Sequence, residues 1–458
     1  MGKKLQRWIG GRTRAALVLA SLAALLCGAS PALGAQEIRL WHAMTGAPAA
    51  ELEALADRFN ASQAAFRVVP SYQGSYERTL AAAIAARRDR QGPHIVQVDE
   101  AGTADIMSVR HGVRPLWQVM REAGVAPDVK FIPAVAGSFA DTRGRLLALP
   151  FNAETPVLFY NRDAFRRAKL DPSRPPRTWD EMPAALGALR DSGVGCPFTT
   201  AHPSWVLLEN MSAWHNQEFA THHNGMASAN VRLAFNGQLI VRWISTLSSW
   251  NRSGYFVYSG REAQAEKRFA SGECAVMTAS SASYPELARG ARFDVGVAQL
   301  PYYSDFAGSP QNTLAGGGGL WVMEGKSGGE YRGVAQFLAF LSRPDVQAEW
   351  HEKTGFVPVT LSAYELARAQ GFYAANPGQE VALRQLALKA PTKETQGIRL
   401  AHLPRIRTII EEELELVWAG RKTPLDALNN AVRRGNVILE RFAANEPEPK
   451  AAQAKAIR

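Results

Sequence analysis

The residues of this 458-residue chain best suited to chemistry are polar groups at the ends of strand-like segments. Glu100 closes HIVQVDE (94–100), where a carboxylate either accepts hydrogen bonds from ligand hydroxyls or caps the helix that begins at Thr103. Ser280, Ser281 and Ser283 lie between AVMTA and a helix from Pro285, where hydroxyls and backbone N–H groups either hold an anion or cap that helix. Gly316–Gly319 either bring bare N–H groups close to a ligand or form a flexible turn. Arg407 opens RTIIEEELELVWAG (407–420) and either grips an anion in bidentate fashion or pairs with Glu411 or Glu412. Trp41, Tyr72, Tyr76, Trp205 and Trp214 offer faces for stacking a polyol, or else fill the core.

Catalytic motifs are missing. GGGGLWVMEGKS (316–327) falls short of a phosphate-binding P-loop because Leu320 stands where the motif needs its first glycine, five residues before Gly325. There is no HExxH, no G-x-S-x-G and no GxGxxG after a strand. His215, His222, His223 and Glu218 match no metal spacing and read as a solvated polar loop. No nucleophile sits beside a base and an orienting acid, although scattered carboxylates leave a glycosidase pair open on spacing alone.

The elements that must position these groups alternate between strand and helix. Strands read at 37–41, 66–72, 94–100 and 156–161, with helices at 48–60, 76–88 and 103–112. In 48–60, Leu52, Leu55 and Phe59 share one face. A further helix follows Asp163, and Thr178 caps WDEMPAALGALRDSG. This alternation predicts βαβ units and mainly parallel sheets. The last quarter is helical (407–420 and 425–445), and the polar tail 446–458 reads as disordered. Cys196 and Cys274 both sit in strand-like segments; spacing leaves a disulfide and two buried thiols equally open.

Composition narrows the function classes. With 46% hydrophobic, 21% charged and 9% aromatic residues, the chain is an ordinary globular protein of two or three domains. The net charge of +10 suggests a nucleic-acid or membrane footprint until its position is read. Five of those charges (Lys3, Lys4, Arg7, Arg12, Arg14) precede the apolar run 15–27 and the small residues of GASPALGA. That is a secretory signal peptide, residues 1–34, cleaved after Gly34. The exported remainder carries only +5, so no nucleic-acid partner is expected.

The runs WHAMTG (41–46), VVPSYQGSYERTLAAAIAA (68–86), VQVDEAGTADIM (96–107), PFNAETPVLFYNRDAFRRAKLDP (150–172), GECAVMTASSAS (272–283) and IEEELELVWAGRKTP (410–424) point further. Together they resemble the sn-glycerol-3-phosphate-binding periplasmic subunits of ABC importers, over essentially the whole exported chain. The resemblance implies an α/β fold of two lobes, each discontinuous in sequence. The first would comprise 36–157 and 297–343, the second 158–296 and 344–445, with LFYNR (158–162) and VGVAQLP (295–301) as hinge crossings. It implies no enzyme activity, no cofactor and no metal. It implies instead a small phosphorylated polyol as ligand, membrane permease subunits with a cytoplasmic ATPase as partners, and a periplasmic monomer. The family's ligand positions fall on Tyr76, Glu100, Ser280, Gly317 and Arg407: phosphate on Arg407, Ser280 and the Gly317 amide, hydroxyls on Glu100, and Tyr76 as wall. Three positions depart from the family pattern. Glu154 replaces a serine, Phe356 a tyrosine and His202 a pocket tryptophan, with Trp205 close by. These departures keep a glycerophosphodiester such as glycerophosphocholine, or an oligosaccharide, as alternative ligands. An exported glycerophosphodiester hydrolase is the alternative from another class.

Overall fold

The computed structural model describes residues 34–87, 92–125 and 129–445. The expected signal peptide (1–34), all but its last residue, and the tail 446–458 lie outside the described residues. Among the described residues, no helix is long and apolar enough to cross a membrane.

Two sheets form two lobes. The first contains β1 (Gln36–His42), β2 (Phe66–Tyr72), β3 (Ile95–Asp99), β4 (Val113–Arg114), β5 (Leu149–Glu154) and β10 (Gly316–Met323), in the order β2-β1-β3-β10-β4, with β5 also paired to β10. The second contains β6 (Pro156–Asn161), β7 (Cys196–Thr200), β8 (Cys274–Ser280) and β9 (Val295–Ala298), in the order β7-β8-β6-β9. The α/β alternation and two-lobed architecture are those expected, but the pairing is mixed. β1 runs parallel to β2 and β3, and β7 to β8, whereas β10 and β6 are antiparallel to every strand they touch. The reason lies in the connectivity. β5 leads out of the first lobe and β10 leads back into it, so neither follows the right-handed βαβ rule that keeps β1–β3 parallel.

Helices cover both lobes. α1 (Gly46–Ser62) buries Leu52, Leu55 and Phe59, as its periodicity demands, and α2 (Tyr76–Ala86) runs beside β3. α3 (Gly328–Leu341) and α4 (Pro344–Thr354) join the same core, where Trp350 stacks on Phe151 at 4.3 Å. Residues 344–354 thus pack with the first lobe, although the lobe boundaries read from sequence put them in the second. The reverse holds for 297–314: Tyr303 and Leu314 pack in the second-lobe core, and the Trp214 indole N–H donates to Leu300 O. α5 (Leu403–Trp418) and α6 (Pro424–Asn445) pack against each other in that second core.

The crossings are also displaced from the expected ones. LFYNR and VGVAQLP contribute paired strand residues of the second sheet, with Leu158 opposite Ala298 and Tyr160 opposite Gly296. The chain changes sheets at Thr155, between β5 and β6, and again at 313–315, just before β10. These two crossings are tied together: Thr155 Oγ1 lies 2.7 Å from Thr313 Oγ1 and donates to Leu314 O at 3.0 Å. A third strand of contact is the bridge from Ala153 to Val357, whose N–H donates to Ala153 O.

Cys196 and Cys274 face each other on the parallel pair β7–β8, their Cα atoms 4.5 Å apart, and form a disulfide. The bond closes a loop of sequence separation 78. Removing a cross-link of that span costs about 2–5 kcal/mol of stability. A thiol assay on the unfolded, unreduced protein is expected to find neither cysteine free, and reduction to lower the urea midpoint; two titratable thiols would contradict the pairing.

Candidate ligand-binding site

The site is built around one buried cation. Arg407 lies in the second turn of α5, not at its start, because His402 in left-handed backbone (φ 53°) begins that helix one turn earlier. Its Nε and Nη2 donate to Glu209 Oε1 and Oε2 at 2.8 and 2.7 Å, a bidentate pair. Nη2 also donates to Glu100 Oε1 at 2.9 Å. Glu209 is 1% exposed, Glu100 12% and Arg407 20%. Burial alone would lower the arginine's affinity for its proton; the two carboxylates outweigh that and hold its pKa well above the ordinary value.

Glu100 comes from the other lobe, at the C-terminal end of β3. The helix cap expected there is Asp99, which accepts from Gly102 N at 2.9 Å and leaves Glu100 free to turn into the cleft. The second oxygen of Glu100 accepts the Gly317 N–H at 3.1 Å. The glycine run is neither a flexible turn nor a phosphate loop but the buried start of β10. Gly317 sits at φ 100°, and a Cβ there would lie 2.2 Å from Asn152 O; at Gly316 a Cβ would lie 2.7 Å from the Trp205 ring. Both glycines are needed for that close approach.

Ser280, ending β8, takes the capping role, one of the two that the sequence left open, and also bonds across to the other lobe. It accepts from Ala282 N, and its hydroxyl donates to Glu154 Oε2 at 2.5 Å across the lobe boundary. Burial pushes the Glu154 carboxyl up to about 7, with the Ser280 bond opposing it. Burial, then the neighbouring Glu100, does the same for Asp99. Tyr76, the first residue of α2, accepts at its hydroxyl from Asn152 Nδ2 (3.1 Å) and Gln97 Nε2 (3.4 Å), which leaves its own proton for donation. His202 (φ 45°) and Trp205 also line the cavity, and burial, aided by Arg407, lowers the His202 pKa below its ordinary value.

These groups enclose about 580 Å³, with Tyr76, Glu100 and Gly317 from the first lobe and Ser280, Trp205 and Arg407 from the second. Carboxylates dominate the walls: besides those already named, Glu262, Glu266, Glu286 and Glu411 line it. The cavity hydroxyls Ser280 and Ser283 bond to Glu154 and Glu266, not to a histidine base. Among the described residues no cluster of metal-ligating side chains forms.

Several expected residues lie elsewhere. Phe356 stacks on Trp350 at 6.0 Å, against the first-lobe core, and does not line the cavity. Trp214 is core, and Trp41 packs on a satellite cluster of the first lobe, while Tyr72 is exposed. His215 is no solvated loop residue: its Nδ1 bonds Met211 O and its Nε2 accepts Tyr303 N, and burial lowers its pKa to about 4. The partner of Arg407 is Glu209, not Glu411 or Glu412. Glu209 was missed, yet a lone carboxylate within the apolar WVLLENMSAW is the signature of a buried, paired charge. It sits in a π-type turn, Ser204–Asn210, which is common where a side chain must be re-aimed.

The comparisons agree on the class of molecule. The family model for bacterial extracellular solute-binding proteins matches residues 54–379. The sn-glycerol-3-phosphate-binding periplasmic protein UgpB of Yersinia pseudotuberculosis is 45% identical over 423 residues, 92% of this chain and 96% of its own. A cyclic alpha-maltosyl-1,6-maltose binding protein from Arthrobacter globiformis superposes with TM-score 0.74 at 24% identity, over 89% of this chain and 100% of that one. UgpB from Mycobacterium tuberculosis, in complex with glycerophosphocholine, gives 0.73 at 24% identity, over 90% and 100%. At such identities the two structures speak for the fold.

Two outcomes follow from the charges. Arg407→Met strands Glu209 in the interior and should cost about 3–5 kcal/mol in urea unfolding, most of it restored by adding Glu209→Gln; a loss under about 1 kcal/mol would show the pair to be dispensable. Glu154, with its folded pKa near 7 against an ordinary 4.5, holds a proton that the unfolded chain has released. Its contribution is therefore greatest below pH 4.5 and is lost as pH rises through 7. Glu154→Gln should raise Tm relative to the parent at about pH 8, with the difference vanishing at low pH. A difference independent of pH would sink that assignment.

Proposed function

The chain belongs to the bacterial extracellular solute-binding proteins, and from that premise we propose that it captures sn-glycerol 3-phosphate in the periplasm. It then delivers the ligand, chemically unchanged, to the permease subunits of an ABC transporter driven by a cytoplasmic ATPase. It acts as a monomer and needs no cofactor. The observation that carries this reading is the exchange available at Arg407. Glu100 bonds both the guanidinium and the Gly317 amide, so one carboxylate bridges two donors that a phosphate can take in its place.

In this exchange the phosphate oxygens take Arg407, the Gly317 N–H and the Ser280 hydroxyl. Glu100, released, accepts from the glycerol hydroxyls, and Tyr76 closes the wall with its free O–H. The first lobe supplies Glu100, Gly317 and Tyr76, the second Arg407 and Ser280, so a ligand held by all of them binds the closed arrangement best and drives closure about Thr155 and 313–315.

One feature favours a second reading. Glu154, Glu262 and Glu266 on the cavity wall repel a phosphate dianion but suit a cationic head group, and Trp205 offers it an aromatic face. A glycerophosphodiester such as glycerophosphocholine carries both the single negative charge and the cation.

Titration calorimetry with sn-glycerol 3-phosphate, glycerophosphocholine and maltose separates these readings. Saturable binding of either phosphate compound without turnover is expected, and none of maltose. Release of choline or inorganic phosphate would defeat the transport reading in favour of a hydrolase. Arg407→Lys, which keeps the charge but loses the planar fork, should weaken phosphate binding at least about tenfold. Glu154→Ser should shift preference towards the dianion, most strongly at about pH 8, where the carboxylate it removes is ionised.

A further inference from the structure

The cleft does not end at Tyr76. A second cavity of about 630 Å³ shares Tyr76, Glu77 and Asp99 with it and runs on between α2 of the first lobe and α5 and α6 of the second. Its facing walls are apolar: Leu80, Ala81 and Ile84 on one side, Pro404, Ile438 and Phe442 on the other. Ala81 is exposed, and Leu80, Ile84, Ile438 and Phe442 are only half-buried, so these side chains lack a packing partner across the groove. The groove is no mere gap awaiting closure. The lobes already touch on both its flanks, through Arg407 and Glu100 on the cleft side and through His402 N donating to Asp105 Oδ1 at 2.9 Å on the other.

We propose that this groove receives an apolar substituent esterified to the glycerol of the ligand, so that the protein takes monoacylglycerol phosphates as well as the free polyol phosphate. The inference rests on the phosphate reading above. With the phosphate on Arg407, the glycerol hydroxyls face Glu100 and Tyr76, which puts them at the mouth of the groove. A chain attached to one of them continues along walls that suit methylene groups. Arg405 and Arg441 line the groove together with Glu77, Asp99 and Asp105, so its charges offset one another and the apolar walls decide what it takes.

Calorimetry on the whole protein with sn-glycerol 3-phosphate and its 1-hexanoyl ester, below micelle-forming concentrations, provides the test. The ester should bind at least about tenfold tighter than the free compound, since its methylenes leave water. Ala81→Glu, on an exposed helix position, should abolish that gain and leave the affinity for sn-glycerol 3-phosphate unchanged. Ile438→Gln, on the opposite wall, should do the same. Equal or weaker binding of the ester overturns the proposal, as expected if the groove instead docks a membrane subunit. A gain that survives both substitutions also overturns it. Failure of both compounds to bind would remove the phosphate reading itself, whereas binding of the free compound alone would remove only the groove.

Discussion

The interaction on which the rest of the site depends is the cation of Arg407 held between two carboxylates from opposite lobes. A guanidinium at 20% exposure beside a carboxylate at 1% is tolerable only when both are paired with good geometry. That requirement dictates much of the surrounding structure. The π-type turn at Ser204–Asn210 aims Glu209 inward. Left-handed His402 starts α5 early enough to set Arg407 in its second turn. Asp99 takes over the capping of the turn after β3, so that Glu100 can cross the cleft. Gly317, at a φ that other residues resist, brings its N–H to the free oxygen of Glu100. Each of these features sets a charge, or the group that pairs with it, in the cleft.

The same constraint ties the site to the hinge. Both crossing segments run directly into site residues: β5 ends at Glu154 immediately before Thr155, and β10 starts at Gly316 immediately after 313–315. Thr155 Oγ1 bonds both crossings together, so a rotation there moves Glu154 and Gly317 with it. Glu154 in turn meets Ser280 across the boundary. In the proposed function, ligand groups that bridge Arg407 to Gly317 therefore act on the angle between the lobes. The crossing strands also explain the mixed sheets, since a strand that arrives from the other lobe is free of the βαβ handedness that makes its neighbours parallel.

How much of this was legible depended on whether the cause was local. The face of α1 formed by Leu52, Leu55 and Phe59, and the strands 36–42, 66–72 and 156–161, followed from periodicity because local pattern and tertiary burial agree there. Tyr76, Glu100, Ser280, Gly317 and Arg407 all line one cavity, and it was the resemblance that grouped them; residue type alone left each with a structural alternative. Partners were illegible. Arg407 reaches Glu209, which is 198 residues away in sequence, rather than the carboxylates one turn along its own helix. Lobe assignments failed at 297–314 and 344–354 for a related reason. Which core receives Tyr303 or Trp350 is settled by long-range packing that no periodicity records. Phe356 went the same way: it found a stacking partner in Trp350 rather than the cavity.

In the proposed exchange the anion enters a site that its own carboxylate already occupies, so it binds by substitution rather than by addition. When Glu100 yields Arg407 and the Gly317 amide to a phosphate, two charge-assisted bonds are broken and comparable ones are made, so little net energy comes from the phosphate contacts themselves. The surplus must come from what the released carboxylate gains, namely hydroxyl donors on the ligand, and from any further surface that the ligand covers. Such a site discriminates against bare inorganic phosphate, which offers Glu100 no alcohol in return and leaves a buried carboxylate unpaired beside a second anion. It also ties specificity to the polyol end of the ligand, even though the strongest single charge lies at the other end. A lone arginine in a cleft otherwise lined by carboxylates is thus not a weakness of the site. Under the proposed function it sets a condition, that the ligand must bring hydroxyls along with its phosphate.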